Sequence, residues 1–255
     1  MSKKRTLTIV LTLLVAVCLL ATTALAAVVP STPSMPSAPS GATAPSTPDN
    51  PTAPSQPSQP SQPSQPSQPS EPELKFIDVN EGDWFYNSVM WAVKNGVTVG
   101  TTPTTFEPYT ACTRAQMIEF LWNAVGKPAA TIKSVPFTDV PESGSDDYWY
   151  EDSLLWAYEA GIVAGTNDGS TFSPDQVCTR AEMISFIARL LSDGATADMP
   201  FVDVPASAWY YNEVQWAWAN GLTVGTNDGT TFSPDNACIR AEAVEFLYNA
   251  FAEVK

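Results

Sequence analysis

Apolar residues in the C-terminal part of the chain follow a helical spacing that occurs three times. Within each copy, four apolar positions recur at i, i+4, i+7 and i+8, which is the spacing of one face of an amphipathic helix. A glycine (Gly96, Gly161 or Gly221) follows each face, where a left-handed residue commonly ends a helix. The pattern therefore predicts one short helix per copy. Its apolar face consists of Phe85, Val89, Ala92 and Val93, then Tyr150, Leu154, Ala157 and Tyr158, then Tyr210, Val214, Ala217 and Trp218.

A second helix is predicted in each copy, shortly after a cysteine. Thr113 with Gln116, and Thr179 with Glu182, have the spacing of a capping box, in which two side chains satisfy amides at the helix start. Ile239 stands at the threonine position of the third copy, so that helix needs another cap. The residues after the cap are apolar on nearly all sides, which indicates burial. We therefore expect the three second helices inside and the three first helices outside.

The threefold repetition predicts the architecture. Tandem units of this size cannot bury their apolar faces alone, so the three units are expected to close on one another. The expected fold is mainly α, with three tandem two-helix repeats in a pseudo-threefold bundle and short β segments. The predicted repeats span residues 74–128, 129–194 and 195–255, and the short β segments are expected at Phe76–Val79, Phe137–Val140 and Phe201–Val204.

The first part of the chain has a different pattern. Residues 1–26 have the features of a secretory signal: a positively charged start, an apolar stretch and the cleavage pattern Ala24-Leu25-Ala26. Residues 27–73 are rich in Pro, Ser and Gln and are expected to form a disordered, extended linker. A ligand for a proline-recognising partner is the alternative to a spacer. We expect an exported chain with no stable membrane span after signal cleavage.

Charge and composition narrow the possible functions. The chain has 27 acidic and 12 basic residues and a formal net charge of −15, which disfavours nucleic acid as a partner. It contains no histidine, which removes the usual general base and the Ser–His and Cys–His nucleophile systems. We expect no enzyme activity, no cofactor and no metal site; a glycosidase-like carboxylate pair is the enzymatic alternative. The Asn-Asp-Gly sequences are interpreted as tight turns rather than calcium sites.

Three cysteines, Cys112, Cys178 and Cys238, occupy the same position before the second helix of each copy. Three equivalent cysteines cannot all pair within the chain. The preferred interpretation is that each packs as a small apolar residue in a hydrophobic staple. A three-thiolate metal site is disfavoured because the three helix starts are expected to lie far apart. Intermolecular disulfides are the remaining alternative.

An arginine stands in the first turn of each second helix, at Arg114, Arg180 and Arg240. A cation there opposes the helix dipole by roughly 0.3–1 kcal/mol, so each arginine is expected to have a compensating partner. Two hypotheses stay open. One is an internal ion pair with a recurring aspartate, and the other is an external anion bound by the guanidinium and free helix amides. The recurring aspartates are Asp78, Asp139 and Asp203.

Tryptophans and loop glycines recur in the same way. An indole beside a polar groove suits a sugar ring, but it is also a large core side chain, so both interpretations stay open. The glycines are expected to allow close backbone approach beside the arginines. The tryptophans are Trp84, Trp149 and Trp209, and the loop glycines are Gly100, Gly165 and Gly225.

The recurring phrases together resemble the S-layer homology domain. Each copy has "FIDV", "FTDV" or "FVDV", then "TFEP" or "TFSP", then "TRAQ", "TRAE" or "IRAE". The resemblance implies a pseudo-threefold assembly with ligand grooves between neighbouring units. It also implies a secreted protein held non-covalently at the cell wall by secondary cell-wall polysaccharide, often pyruvylated, or by another anionic wall glycan. A structural surface-layer protein that acts by self-association is the alternative.

The resemblance assigns ligand-binding roles to four recurring sets of residues. The chain departs from the family phrase at Ile239 and Gln116, and the first copy lacks the Asp-Gly turn. The groove that uses Arg240, and any groove that uses the loop of the first copy, are therefore expected to be weak or idle. The four sets are Arg114, Arg180 and Arg240; Trp84, Trp149 and Trp209; Asp78, Asp139 and Asp203; and Gly100, Gly165 and Gly225.

Overall fold

The computed structural model describes residues 76–252, which are mainly helical. The predicted signal peptide (1–26) and linker (27–73) lie outside the described residues. No helix among those described has the length and apolar character needed to cross a membrane. Both Asn-Asp-Gly sequences form 3-10 turns. The α-helices are α1 (Tyr86–Lys94), α2 (Arg114–Ala124), α3 (Glu151–Glu159), α4 (Arg180–Leu191), α5 (Tyr211–Ala219) and α6 (Arg240–Phe251).

The first helix of each repeat is held by its apolar face and ended by a glycine. In α1, Val89 and Ala92 are fully buried, and Phe85, directly before the helix, is 1% exposed. Gly96 has φ 69°, and the Val97 amide donates to the Ala92 carbonyl oxygen at 2.8 Å. Glycine adopts this positive φ without a steric penalty, so it ends the helix cleanly. Helices α3 and α5 end in the same way, as the repeated pattern predicted.

The second helices begin with two different kinds of cap. Thr113 and Thr179 form the predicted capping boxes at the starts of α2 and α4. At α6, Ile239 has no oxygen to offer, and its amide donates to Glu242 Oε2 at 3.2 Å, which is one half of the box. The next two amides of α6, those of Arg240 and Ala241, each donate at 2.9 Å to backbone carbonyl oxygens of the first repeat. Helices α2 and α4 make the same two contacts, so α6 keeps this contact between repeats and lacks only the threonine half of the capping box.

The helices pack mainly between repeats. The second helices α2, α4 and α6 contact one another in the centre, as predicted. Each first helix packs on the second helix of the preceding repeat: α3 on α2, and α5 on α4. Helix α1 packs on α6, where the rings of Trp91 and Tyr248 meet edge-to-face at 5.8 Å. The three repeats thus form a closed pseudo-threefold ring in which the first and last repeats are neighbours.

The short β contacts lie elsewhere than predicted. Within the described residues, the segments that begin at Phe76, Phe137 and Phe201 form no β-bridge. Each makes one backbone–backbone hydrogen bond to a loop, such as that from the Ile77 amide to the Thr104 carbonyl oxygen at 2.9 Å. The bridges between repeats lie at the starts of the second helices, because three extended segments meet there. They join Ala111 with Ile239, Thr113 with Val177, and Thr179 with Ala237.

The three cysteines lie at the centre of this ring, so the expectation that the helix starts lie far apart is wrong. Each cysteine amide donates to a cysteine carbonyl oxygen of another repeat, from Cys112 to Cys238, from Cys178 to Cys112 and from Cys238 to Cys178, at 2.9–3.0 Å. The thiols are free and fully buried. Burial raises the pKa of the Cys112 thiol to about 11. No cluster of three or more metal-ligating side chains occurs within residues 76–252.

Candidate functional site

The three recurring arginines are buried at the contacts between repeats. Arg114, Arg180 and Arg240 are 3%, 4% and 5% exposed. The Nε atom of Arg114 donates at 2.8 Å to the carbonyl oxygen of Phe172, which belongs to the next repeat. Arg180 and Arg240 make the same contact, with the carbonyl oxygens of Phe232 and Phe106. Each arginine therefore fastens its own helix to the "TFSP" or "TFEP" loop of the following repeat.

Two of the arginines form ion pairs, but with glutamates rather than with the predicted aspartates. Arg114 Nη1 lies 2.7 Å from Glu182 Oε1, and Arg180 pairs with Glu242. The other carboxylate oxygen of Glu182 accepts the Thr179 amide at 2.9 Å, so one glutamate caps its helix and neutralises an arginine. The hypothesis of an internal ion pair is therefore correct for these two arginines, but the predicted acid is wrong: the partner is a glutamate of the next repeat and not a recurring aspartate.

Arg240 has no such partner, because Gln116 stands where the other repeats have glutamate. Gln116 Oε1 accepts the Thr113 amide at 3.0 Å, so the remaining polar group of the side chain is an NH₂ donor. Arg240 forms no salt bridge within the described part of the chain; its Nη2 lies 3.4 Å from Thr98 Oγ1. Burial lowers the pKa of the Arg240 guanidinium.

The first two amides of each second helix donate to carbonyl oxygens of another repeat, so they are not the free amides that the anion hypothesis requires. The amides of Arg114 and Ala115 donate to the carbonyl oxygens of Gln176 and Pro174, at 2.9 and 3.0 Å. The third amide, that of Gln116, donates to Thr113 Oγ1 at 3.3 Å. Donors that point at neighbouring repeats hold the ring together and are unavailable to an external anion.

The recurring aspartates hold the loops that receive the arginines. Asp139 accepts the amides of Phe172 and Ser173, both at 2.7 Å. Ser173 has φ 56°, and this positive φ turns the chain so that the Phe172 carbonyl oxygen faces Arg114. Asp78 and Asp203 make the equivalent contacts in their own repeats. The structure thus gives the three aspartates a positioning role within the repeat.

The loop glycines are required by the fold of each repeat. Gly165 has φ 85°, and a Cβ atom built on it would lie 2.6 Å from a carbon of the Phe137 ring and 2.6 Å from the Thr171 carbonyl oxygen. Gly100 and Gly225 are equally crowded by Phe76 and Phe201. The predicted close approach exists, and it brings these glycines against a phenylalanine of their own repeat.

The tryptophans that open the first helices lie at the surface. Trp84, Trp149 and Trp209 are 56%, 56% and 58% exposed, so the interpretation as core side chains is wrong for this set. Each indole packs on the aromatic residue that follows it, with ring centroids 5.1–5.2 Å apart and planes nearly perpendicular. This contact fixes the orientation of the indole and leaves much of its surface free.

Members of three predicted sets, from three different repeats, line one cavity of about 200 Å³. Arg114 comes from the first repeat, Gly165 from the second and Trp209 from the third. We call this cavity the repeat-2 groove, because α4 and the loop before it form most of its wall. The other lining residues are Ala164, Thr166, Glu182, Ser185, Phe186 and Arg189.

Arg189 is a lining residue that the sequence analysis missed. It lies in the last turn of α4, is exposed, and donates from Nη1 to the Ile162 carbonyl oxygen at 2.9 Å. The equivalent positions hold Asn123 and Asn249, so it does not belong to a recurring set. The sequence signal for Arg189 is a difference between the copies, because a charged residue replaces asparagine at this position in the second repeat alone.

Known proteins share these repeats. The model of the S-layer homology domain matches residues 75–118, 136–184 and 200–244. A cell surface protein of Thermoanaerobacter kivui is 35% identical over 50% of this chain, and the surface-layer 125 kDa protein of Lysinibacillus sphaericus is 34% identical over 36%. An endoglucanase of Bacillus sp. (strain KSM-635) is 33% identical over 45% of the chain.

The matched part is a small share of each relative. The chain covers 16%, 8% and 11% of the three proteins, in the order given. S-layer homology domains are anchoring modules that occur in S-layer and cell surface proteins. The comparisons indicate a protein of the cell surface. Because the three matched segments cover more than half of the sequence, the chain belongs to the S-layer homology domain family.

Proposed function

We propose that this chain is a non-covalent cell-wall anchoring module that binds an anionic secondary cell-wall polysaccharide, carrying pyruvate ketals, in grooves between its repeats. The observation that carries the proposal is the repeat-2 groove of about 200 Å³. In this groove a guanidinium comes from the first repeat, loop backbone from the second and an exposed indole from the third. The site therefore forms only when the three repeats are assembled.

The chemistry of the groove suits an acidic sugar. The exposed face of Trp209 is a surface on which the C–H groups of a sugar ring pack. A ketal carboxylate suits charge-assisted hydrogen bonds from arginine, which are about twice as strong as neutral ones. The Nε and Nη1 atoms of Arg114 already donate hydrogen bonds to Phe172 and Glu182, so the remaining N–H groups of its guanidinium are the donors for a ligand. The aspartates and the loop glycines support the site by holding the loop in place.

The same proposal extends to the other two grooves and to the rest of the chain. By the pseudo-threefold relation, Arg180 and Arg240 with Trp84 and Trp149 belong to the corresponding grooves. The chain is exported by its signal, acts without catalysis, and is held at the wall, with the Pro-rich segment as a spacer.

A second candidate is a structural surface-layer protein that acts by self-association. The observation that favours it is the burial of Arg114 and Arg180 in ion pairs with Glu182 and Glu242. If holding the ring together is the whole role of these arginines, no glycan site is needed. The two candidates differ in what the protein binds on a wall from which the polysaccharide has been removed.

The test is sedimentation of the full chain with purified cell-wall sacculi, before and after chemical removal of the secondary polysaccharide. We expect retention on intact sacculi and loss of retention on stripped sacculi. Trp209→Ala is expected to lower retention at least tenfold with an unchanged thermal unfolding curve, because its side chain is largely exposed. Equal retention on stripped sacculi, or assembly without any wall, favours the self-association candidate.

A further inference from the structure

We propose that the three grooves are not equivalent: the repeat-2 groove is the principal site for the carboxylate-bearing sugar, and Arg189 is its specificity-determining residue. This inference rests on the proposed function. It is drawn from three positions of the groove wall at which the second repeat differs from both other repeats.

The first difference is a positive charge at the last turn of the second helix. Arg189 and its counterparts Asn123 and Asn249 all donate to the backbone carbonyl oxygen of the third residue after the first helix. These acceptors are Ile162, Val97 and Leu222. The structural contact is therefore the same in all three repeats, and only Arg189 adds a charge. Arg189 forms no salt bridge within residues 76–252, so that charge is available in the groove.

The charge of Arg189 matters because Arg114 is already neutralised. The carboxylate of Glu182 lies 2.7 Å from Arg114 and lines the same groove, so this pair contributes little net charge. An anionic ligand entering the groove is attracted mainly by Arg189. Opposite charge at short range favours binding and rejects ligands of the wrong sign.

The second difference is the absence of a glutamate. Ser185 lines the repeat-2 groove, and its hydroxyl donates to the Ala181 carbonyl oxygen at 2.8 Å. The first and third repeats have Glu119 and Glu245 at this position of the helix. Glu245 Oε1 lies 3.4 Å from Asn249 Nδ2, so in the third repeat a negative charge lies beside the position equivalent to Arg189. A carboxylate ligand is repelled there and is not repelled by Ser185.

The third difference is the space at the rim. Ala164 lines the repeat-2 groove beside Gly165, whereas the equivalent residues Val99 and Val224 are 78% and 77% exposed. The smaller side chain leaves more room for a sugar next to the loop backbone. Size and charge at the groove wall thus change together in the second repeat.

The experiment is isothermal titration of the full chain with polysaccharide released from the wall, at low salt. The parent chain is expected to bind with one strong site. Arg189→Asn copies the residue of the other two repeats and is expected to raise Kd about tenfold, while Lys94→Asn, which removes an exposed charge from α1, is expected to leave Kd unchanged. Glu245→Ser combined with Asn249→Arg is expected to add a second strong site.

A second titration identifies the carboxylate. Mild acid removes pyruvate ketals from the released polysaccharide and leaves uronic acids; loss of binding assigns the carboxylate to the ketal, and retained Arg189-dependent binding assigns it to a uronic acid. Unchanged affinity of Arg189→Asn, with normal binding by the parent, overturns this inference and leaves the proposed function standing. A parent chain that does not bind the released polysaccharide overturns both.

Discussion

At the scale of single residues, one glutamate position controls the electrostatics of each contact between repeats. Glu182 and Glu242 each accept a backbone amide at their own helix start and also neutralise the arginine of the preceding repeat. Gln116 keeps the first task and loses the second, since an amide group carries no charge. Arg240 is consequently a buried cation that forms no ion pair within residues 76–252, at the contact that closes the ring.

Gln116→Glu is expected to stabilise the fold. The new carboxylate keeps the capping contact and supplies the ion pair that Arg240 lacks, as the other two repeats do. Pairing a buried charge of this kind is expected to raise the free energy of unfolding by about 1–2 kcal/mol. Urea denaturation of the parent and the variant measures the change.

The control is the same substitution in an Arg240→Met background, which completes a double-mutant cycle. Gln116→Glu is expected to bring no gain there, because the cation is gone. An equal gain in both backgrounds would show that the substitution acts on the helix cap alone.

A second residue-scale effect concerns alkaline pH. Burial raises the pKa of the Cys112 thiol from an ordinary value of 9.0 to about 11. The folded chain therefore keeps the proton that the unfolded chain loses, and stability falls as the pH rises from 9 to 11. Over that range Cys112 is expected to cost about 3 kcal/mol of stability. The measurement is urea denaturation at a series of pH values.

Cys112→Ala isolates this contribution. The variant is less stable at neutral pH because a buried side chain is truncated, but its stability is expected to fall less steeply above pH 9. Parallel pH profiles for parent and variant are the result that contradicts the assignment to Cys112.

At the scale of elements, the loop between the two helices of a repeat contacts both the recurring aspartate of that repeat and the arginine of the preceding repeat. Asp139 holds the amide of Phe172, and the carbonyl oxygen of the same residue receives Arg114 from the preceding repeat. Gly165 lies where this loop passes against the ring of Phe137, and it also lines the repeat-2 groove. The loop therefore connects the interior of one repeat to the contact with its neighbour.

Gly165→Ala is expected to destabilise the fold by about 3 kcal/mol. The added methyl group meets both the Phe137 ring and a backbone oxygen, and the residue must also keep a positive φ. Gly161→Ala is the matched control, because Gly161 has φ 71° but no atom within 4 Å of the added carbon, and about 1 kcal/mol is expected there. Thermal unfolding of both variants measures the difference. Equal losses would mean that backbone strain alone decides the cost.

At the scale of the whole molecule, the repeats complete one another in a ring. The first helix of the first repeat covers the second helix of the last, and the cysteine backbones close a cyclic set of hydrogen bonds at the centre. Helix α6 lies next to α1 although the two are far apart in the sequence. Stability is therefore shared by the three repeats.

Removal of residues 74–128 is expected to abolish cooperative folding of the remainder. The truncation removes α1, which packs on α6, and the Phe106 carbonyl oxygen that accepts a hydrogen bond from Arg240. It also breaks the cyclic set of hydrogen bonds between the cysteine backbones. Cooperativity is measured by urea unfolding that is monitored with two probes, far-UV circular dichroism and tryptophan fluorescence. The full chain should give one transition with both probes, and a sharp transition in the truncated chain would mean that two repeats suffice.

The sequence by itself determined the parts that depend on neighbouring residues. The apolar face of α1, its glycine end, and the capping boxes at Thr113 and Thr179 all follow from contacts within a few positions. The number of repeats and the burial of the second helices also follow, because a helix that is apolar on nearly all sides has to be enclosed. The four sets of candidate residues could be identified from the sequence because they recur at equivalent positions of the three copies.

Only the tertiary structure decided which groups meet. Arg114 lies 68 positions from Glu182, and no local rule distinguishes that glutamate from the recurring aspartates as its partner. The cysteines meet at the centre because the extended segments that precede the second helices pair between repeats, and the tryptophans that open the first helices lie at the surface. Three repeats can close in more than one order with the same apolar pattern, so long-range packing, rather than periodicity, determines the groove and its charge.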